Sequence, residues 1–122
     1  SIMTNPFLDQ QLFMLASDQT TGIENIEQYK LYHSLMKEEF QELEDSTTRE
    51  DDVDALIDML VVTIGALHSI GVDVEGAWNE VHGTNMAKVD RETGKVRKRE
   101  DGKVLKPVGW APPELGQFLP KK

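Results

Sequence analysis

The sequence contains no cysteine, which excludes disulfide bridges and metal sites built from thiolates. It also lacks any apolar run near the roughly 20 residues that a membrane-spanning helix needs, and no basic stretch followed by an apolar one opens the chain. We therefore expect a cytoplasmic protein that does not associate with a membrane. Ser1 and Ile2, which precede Met3, look like an expression scar and are set aside.

Basic residues are scarce in the first 87 positions, which carry 17 acidic side chains and only 3 basic ones. Residues 88–122 reverse the balance with 10 basic and 5 acidic side chains, and the formal net charge of the chain is −9. Such an acidic total disfavours binding of a nucleic acid polymer, because phosphate neutralisation requires a basic face, and it disfavours docking to anionic lipid. The asymmetry predicts an acidic body followed by a basic tail.

Apolar spacing and capping residues predict an all-α fold, a bundle of four helices within one domain of residues 3–122. The helical body should cover about residues 6–89, with helices at 6–17, about 23–45, from a cap at Thr47 or Thr48 to about 70, and about 74–89. Glycine and proline then predict an extended tail over about 90–122, with a small hairpin or two short extended stretches after Gly94 and Gly102.

The third predicted helix is unusual because it is apolar nearly all round from Leu56 to Leu67. A helix of this kind must be covered on several sides. Since the other helices of one short chain offer too little cover, we expect a second subunit to complete the bundle, in a homodimer or a homotetramer.

Carboxylates converge on the second and third predicted helices. Glu38, Glu39 and Glu42 are spaced by three and four residues and share one face, with Glu39 inside the apolar arc. Asp54 and Asp58 are four apart on the next helix. Carboxylates that point toward a core are costly unless a cation neutralises them, so the pattern predicts a site for Mg²⁺, with Mn²⁺ as the alternative.

Two other metal centres are excluded by spacing. A di-iron site would include Glu-x-x-His pairs, and no glutamate stands three residues before any of the three histidines. An EF-hand would place a glycine after its aspartates, and none follows here at the required position.

The run Glu38-Glu39-Phe-Gln-Glu42, followed by Asp54-Ala-Leu-Ile-Asp58, resembles the MazG-like all-α nucleoside triphosphate pyrophosphohydrolases. The stretches Val-His-Gly-Thr-Asn-Met-Ala-Lys (81–88) and Gly-Lys-Val-Leu-Lys-Pro (102–107) look like one small single-domain branch of that family, and the resemblance covers about residues 25–115. It implies hydrolysis of (deoxy)nucleoside triphosphates between the α and β phosphates, giving a monophosphate and pyrophosphate, as a house-cleaning activity.

The resemblance also implies roles for the carboxylates. Glu39, Glu42 and Asp58 would hold the metal, and Glu38, at the edge of the face, would orient or deprotonate the attacking water. The sequence departs from the family in one place, because Ala55 stands where the Glu of the usual Glu-x-x-Asp element belongs. Asp54 is the natural replacement as fourth ligand.

Another alignment of the same element pairs Asp54 with Asp51 instead. The alignment on Asp58 is preferred because an apolar Met-Leu-Val-Val run follows that aspartate.

The basic tail offers counter-charge for the phosphates of a substrate. The resemblance places Asn85 and Lys88, three residues apart near the end of the fourth helix, beside the nucleotide. Lys103 and Lys106 are further candidates for phosphate binding, and Trp110, the expected anchor of the tail, completes the predicted substrate-binding set.

Two alternatives remain open. A phosphoribosyl-ATP pyrophosphohydrolase of histidine synthesis is similar in fold and chemistry, although the tail and residues 81–88 look more like the other branch. A non-catalytic helical oligomerisation or regulatory module would instead use the same acids as a solvated surface.

Overall fold

The computed structural model describes residues 5–121, so Ser1 and Ile2 lie outside the described residues. The described part has no β-strand, which confirms the all-α prediction. Its elements are α1 (Pro6–Ala16), α2 (Ile26–Asp45), α3 (Arg49–Ser69), α4 (Val74–Met86) and a short 3-10 helix at Leu115–Phe118.

Capping side chains set where α2 and α3 begin. The helix α2 begins at Ile26, three residues later than predicted, because the Asn25 side-chain oxygen accepts a hydrogen bond of 3.1 Å from the Gln28 backbone N–H. Of the two predicted caps of α3, Thr48 is the one used, since its hydroxyl oxygen accepts the Asp51 backbone N–H at 3.0 Å.

The described residues form two compact units, which we call the helical unit and the tail unit. The helical unit contains residues 5–74 and 119–121, and therefore α1, α2 and α3. The tail unit comprises Glu75–Phe118 and contains nearly all of α4 and the basic segment that follows it.

In the helical unit, α2 packs along α3 and α1 packs on α3. The core consists of Met14, Tyr32, Val62 and Ala66, with Leu35 and Met36 packed against it. Gly65 is required at this helix crossing, because a Cβ there would overlap the ring of Tyr32. Close approach of the two helices brings the side chains on their facing sides into contact.

Polar contacts fix the ends of these helices. The buried His68 side chain on α3 forms a hydrogen bond of 2.8 Å between its Nε2 and the Phe7 carbonyl oxygen of α1. The Gln28 amide of α2 donates to the Thr20 carbonyl at 2.7 Å and to the Ser69 hydroxyl at 2.9 Å. The loop between α1 and α2 is thus tied to the C-terminal end of α3.

Much of α3 is left uncovered by its own chain. Leu56, Ile57 and Leu60 are 48%, 53% and 59% exposed, although the sequence predicts that they require cover. Among the described residues no single helix is long and apolar enough to cross a membrane, and only α3 and α4 counted together as a bent pair reach that length and composition.

In the tail unit, α4 ends at Met86. The prediction that this helix continues to about Val89 is therefore wrong. Val89 instead forms an isolated antiparallel bridge with Val96, and Lys98 forms another with Val104. The turns use Gly94 and Gly102, whose φ angles of 71° and 88° disfavour other residues.

Candidate metal centre

The close packing of α2 on α3 brings three carboxylates together. Glu39 and Glu42 lie three residues apart on α2, and Asp58 lies on α3. One oxygen from each lies within 4.8 Å of the oxygens from the other two. We call these three residues the carboxylate cluster. Its geometry depends on helical spacing within α2 and on the close approach of the two helices.

Glu39 is the member of the cluster in the least favourable environment. Its Oε2 atom is buried and has no hydrogen-bond partner in the described part of the chain. An ionised carboxylate oxygen that has lost its water without gaining a donor is costly. A positive charge at the cluster would remove that cost.

The pKa values show the same lack of positive charge. Burial, a hydrogen bond with Glu42 and the negative charges of Glu42, Asp58 and Asp54 raise the pKa of Glu39 from 4.5 to about 7. Burial, followed by the charges of Asp54 and Glu42, also raises the pKa of Asp58. The cluster is therefore short of a cation rather than balanced by a basic side chain.

The residues present fit Mg²⁺ or Mn²⁺. All three donors are carboxylate oxygens, which such cations prefer, and three protein ligands leave coordination positions for water and substrate oxygens. The orphaned Oε2 of Glu39 supplies a donor atom that nothing else in the described residues uses.

The other predicted carboxylates lie near the cluster without belonging to it. Asp54 is exposed, and its charge raises the pKa of both Glu39 and Asp58, but among the described residues its oxygens are not part of the group of three. Glu38 is exposed on α2 and likewise contributes no oxygen to that group. Ala55 is buried. The roles of Asp54 and Glu38 remain predictions.

Most of the predicted substrate-binding residues meet in the tail unit. The Lys88 ammonium donates to the Asn85 side-chain oxygen at 3.1 Å. The Nζ atoms of Lys88 and Lys106 lie 5.2 Å and 4.8 Å from the centre of the Trp110 ring. Lys103 directly follows the turn at Gly102, and its backbone N–H donates to the Asp101 side chain at 3.0 Å.

Sequence reasoning missed a cavity of about 400 Å³ in the tail unit. Its lining comes from one side of α4 and from the segment around Trp110. No sequence motif predicts it, because its lining residues come from two separate segments, which are joined by the hydrogen bond that the Trp110 indole N–H donates to the Thr84 carbonyl at 2.7 Å. Trp110 is thus the anchor that the sequence predicts, and also a wall of this cavity.

Comparison with known proteins identifies the family to which the chain belongs. No curated protein shows significant similarity to the chain. Residues 10–85, which include the whole carboxylate cluster and end before Lys88, match the family described as phosphoribosyl-ATP pyrophosphohydrolase. The chain therefore belongs to the phosphoribosyl-ATP pyrophosphohydrolase family, a pyrophosphohydrolase family of the MazG-like all-α superfamily.

Proposed function

We propose that the protein hydrolyses a nucleoside 5′-triphosphate group between its α and β phosphates and releases pyrophosphate. The observation that carries this proposal is the carboxylate cluster, in which the buried Oε2 of Glu39 has no hydrogen-bond partner among the described residues. Membership of a pyrophosphohydrolase family supports the same chemistry.

Glu39, Glu42 and Asp58 would hold a Mg²⁺ ion, and Asp54, one helical turn before Asp58, would be the fourth ligand in preference to Asp51. When bound, Mg²⁺ would supply charge neutralisation for the phosphate oxygens and make the phosphorus more electrophilic. The ligand carboxylates must be ionised to bind it.

Glu38 is our candidate for the residue that orients the attacking water and takes its proton. It is adjacent to the ligand Glu39 and exposed on α2, which leaves its carboxylate accessible to a water molecule. No covalent intermediate with the protein is needed, since water can displace pyrophosphate directly.

Two substrates fit this chemistry. Phosphoribosyl-ATP is the preferred candidate substrate, because it is the compound in the description of the matching family. Free (deoxy)nucleoside triphosphates, hydrolysed in a house-cleaning role, are the second candidate substrates. They are favoured by residues 81–88 and 102–107, whose resemblance to a small MazG-like branch extends beyond the matched region.

We also propose a homodimer or homotetramer as the active form, in the cytoplasm. The exposure of Leu56, Ile57 and Leu60 on α3 supports assembly, because about half of each side chain lacks the cover that an apolar helix needs.

The test is an assay of product identity on phosphoribosyl-ATP and on a panel of ribo- and deoxyribonucleoside triphosphates, with Mg²⁺ or with EDTA. We expect pyrophosphate and the monophosphate as products, no orthophosphate, and no turnover in EDTA. The substrate with the highest kcat/KM decides between the two candidates.

The variant Asp58→Asn should lose turnover on every substrate that the wild type hydrolyses. Wild-type protein that turns over none of these compounds with Mg²⁺ would overturn the enzymatic proposal in favour of a non-catalytic helical module. Release of orthophosphate instead of pyrophosphate would show that the bond cleaved is a different one.

A further inference from the structure

The helical unit contains a cavity that is lined by both α2 and α3 and lies apart from the carboxylate cluster. Its volume is about 500 Å³, within the usual range for small-molecule sites. None of the three cluster residues lines it. Lys37, which does line it, stands two residues before Glu39, a rotation of about 200° around a helix of 3.6 residues per turn. The cavity is therefore on another side of α2 from the candidate metal centre.

Lys37 forms no ion pair among the described residues. The first 87 residues contain only two other basic side chains, and each of these has an acidic partner, Lys30 with Glu27 at 3.4 Å and Arg49 with Asp52 at 3.1 Å. The sequence explains the difference, because none of the residues three or four positions from Lys37 on α2 is acidic. The Lys37 ammonium is thus available to an anion from outside the chain.

The charge of the cavity lining is opposite in sign to that of the helical body. Acidic side chains outnumber basic ones 17 to 3 in the first 87 residues, yet the lining contains Lys37 and, one turn before it, His33, and no acidic residue. A single lysine balances one negative charge. A phosphate monoester carries nearly two at neutral pH, and the acidic body would repel the second. The lining therefore favours a monoanion such as a carboxylate.

The apolar part of the lining suits an aromatic ring. It consists of Met36, Phe40 and Met59, and Phe40 is 50% exposed. Thioether sulfur atoms make favourable contacts with aromatic rings, and a second ring pairs favourably with that of a phenylalanine. An aromatic group in the cavity would also cover the exposed half of Phe40, which removes apolar surface from water.

We propose that this cavity is a binding site for a small aromatic carboxylate. The carboxylate pairs with the Lys37 ammonium, and the ring contacts Met36, Phe40 and Met59. The site uses neither the carboxylate cluster nor its metal, so the proposal does not rest on the proposed function.

The test is a titration with 3-phenylpropionate, without added divalent cation, followed by NMR of the methionine methyl groups. We expect the Met36 and Met59 resonances to move upfield through the ring current of the bound probe. The shift should saturate below about 5 mM, the range for a ligand of this size. Met14 in the core and Met86 in the tail unit are internal controls, whose resonances should not move.

The role of charge is tested with two further probes and a matched pair of variants. The neutral 3-phenylpropanamide should bind about tenfold more weakly than the acid, the loss of one charge-assisted contact, and phenyl phosphate should also bind more weakly. Lys37→Gln should weaken binding of the acid about tenfold and leave binding of the amide unchanged. Lys30→Gln, which removes an exposed lysine of α2 that does not line the cavity, should bind the acid as the wild type does.

Thr63 allows the cavity itself to be tested. It is an exposed residue of α3 that lines the cavity, so Thr63→Phe should occupy the space that the ring of the probe needs. Phe is about as good a helix former as Thr, and Ala is a better one, so Thr63→Phe and its control Thr63→Ala should both fold. We expect Thr63→Phe to weaken binding of the acid and of the amide about tenfold or more, and Thr63→Ala to change both little.

The proposal would be overturned if the Met36 and Met59 resonances did not respond to the acid, or if the amide or phenyl phosphate bound as tightly as the acid. Wild-type affinity for the acid in Lys37→Gln or in Thr63→Phe would overturn it as well. Shifts that follow the protein concentration and not the probe would assign the cavity to a contact between two copies of the chain, which would also overturn it.

Discussion

Glu39 shows how a single carboxylate can depend on a cation that the chain does not provide. Its buried Oε2 lacks a hydrogen-bond partner among the described residues. Burial and the nearby carboxylates raise its pKa from 4.5 to about 7. Between these values the folded, metal-free protein holds a proton that the unfolded chain has already released. By linkage, the folded state is then favoured at the lower pH.

We predict that the metal-free protein loses stability as the pH rises from about 4.5 to about 7. Glu39→Gln should lose less over the same range, because the amide does not titrate. Thermal unfolding in EDTA at several pH values, compared between wild type and variant, measures this difference. Identical pH profiles for the two proteins would contradict the prediction.

At the scale of elements, the cluster depends on how α2 leads into α3. Only residues 46–48 separate the two helices, and so short a connection makes them packed neighbours. Thr48 caps α3 through the Asp51 backbone N–H at 3.0 Å, and the Ser46 hydroxyl donates to the Thr48 carbonyl at 3.0 Å. These contacts fix where α3 begins and therefore which of its residues face α2.

We predict that Thr48→Ala lowers the free energy of unfolding by about 1 kcal/mol, the usual cost of losing an N-cap. The neighbouring Thr47→Ala is the control, since Thr47 is exposed and is not the cap. Urea denaturation of both variants measures the effect. Equal losses in the two variants would show that the Thr48 hydroxyl has no special role.

The sequence predicts the elements well where local rules act. Helical spacing alone places Glu39 and Glu42 on one face, and the apolar register of α3 places Asp58 toward α2. The beginning of α2 and the end of α4 differ from the prediction because the Asn25 cap and the Val89–Val96 bridge replace further helical turns.

Contacts between residues that are distant in the sequence do not follow from local spacing or capping rules. The sequence predicts Lys88 and Lys106 as separate members of the substrate-binding set, but their shared contact with Trp110 depends on how residues 107–110 return to α4. Likewise, the exposure of Asp54 follows from tertiary packing, which spacing along α3 does not determine.

At the scale of the whole molecule, the chain carries more exposed apolar surface than its own helices cover. On α3 the residues Leu56, Ile57 and Leu60 are each about half exposed. Exposed apolar surface of this kind is typical of contacts between subunits. The proposed assembly would cover it by burying α3 of one subunit against the other.

We predict that Leu60→Gln weakens the assembly, because it puts a polar group into the proposed contact. Leu12→Gln on α1, where Leu12 is 55% exposed compared with 59% for Leu60, is the control. Sedimentation velocity over a range of concentrations measures both. A monomeric wild type, or a Leu60→Gln variant that assembles as the wild type does, would contradict this prediction.

The initial rate of pyrophosphate release as a function of Mg²⁺ concentration, for wild type, Glu39→Gln and Glu44→Gln, tests the central claim most directly. Glu44 is an exposed glutamate of α2 outside the carboxylate cluster. We predict saturable Mg²⁺ dependence for wild type and Glu44→Gln. For Glu39→Gln we predict a rate that is lower than the wild-type rate by a factor of about 100 or more, as when a key electrostatic group is removed from an active site. Pyrophosphate release by Glu39→Gln at the wild-type rate and Mg²⁺ dependence would contradict the account.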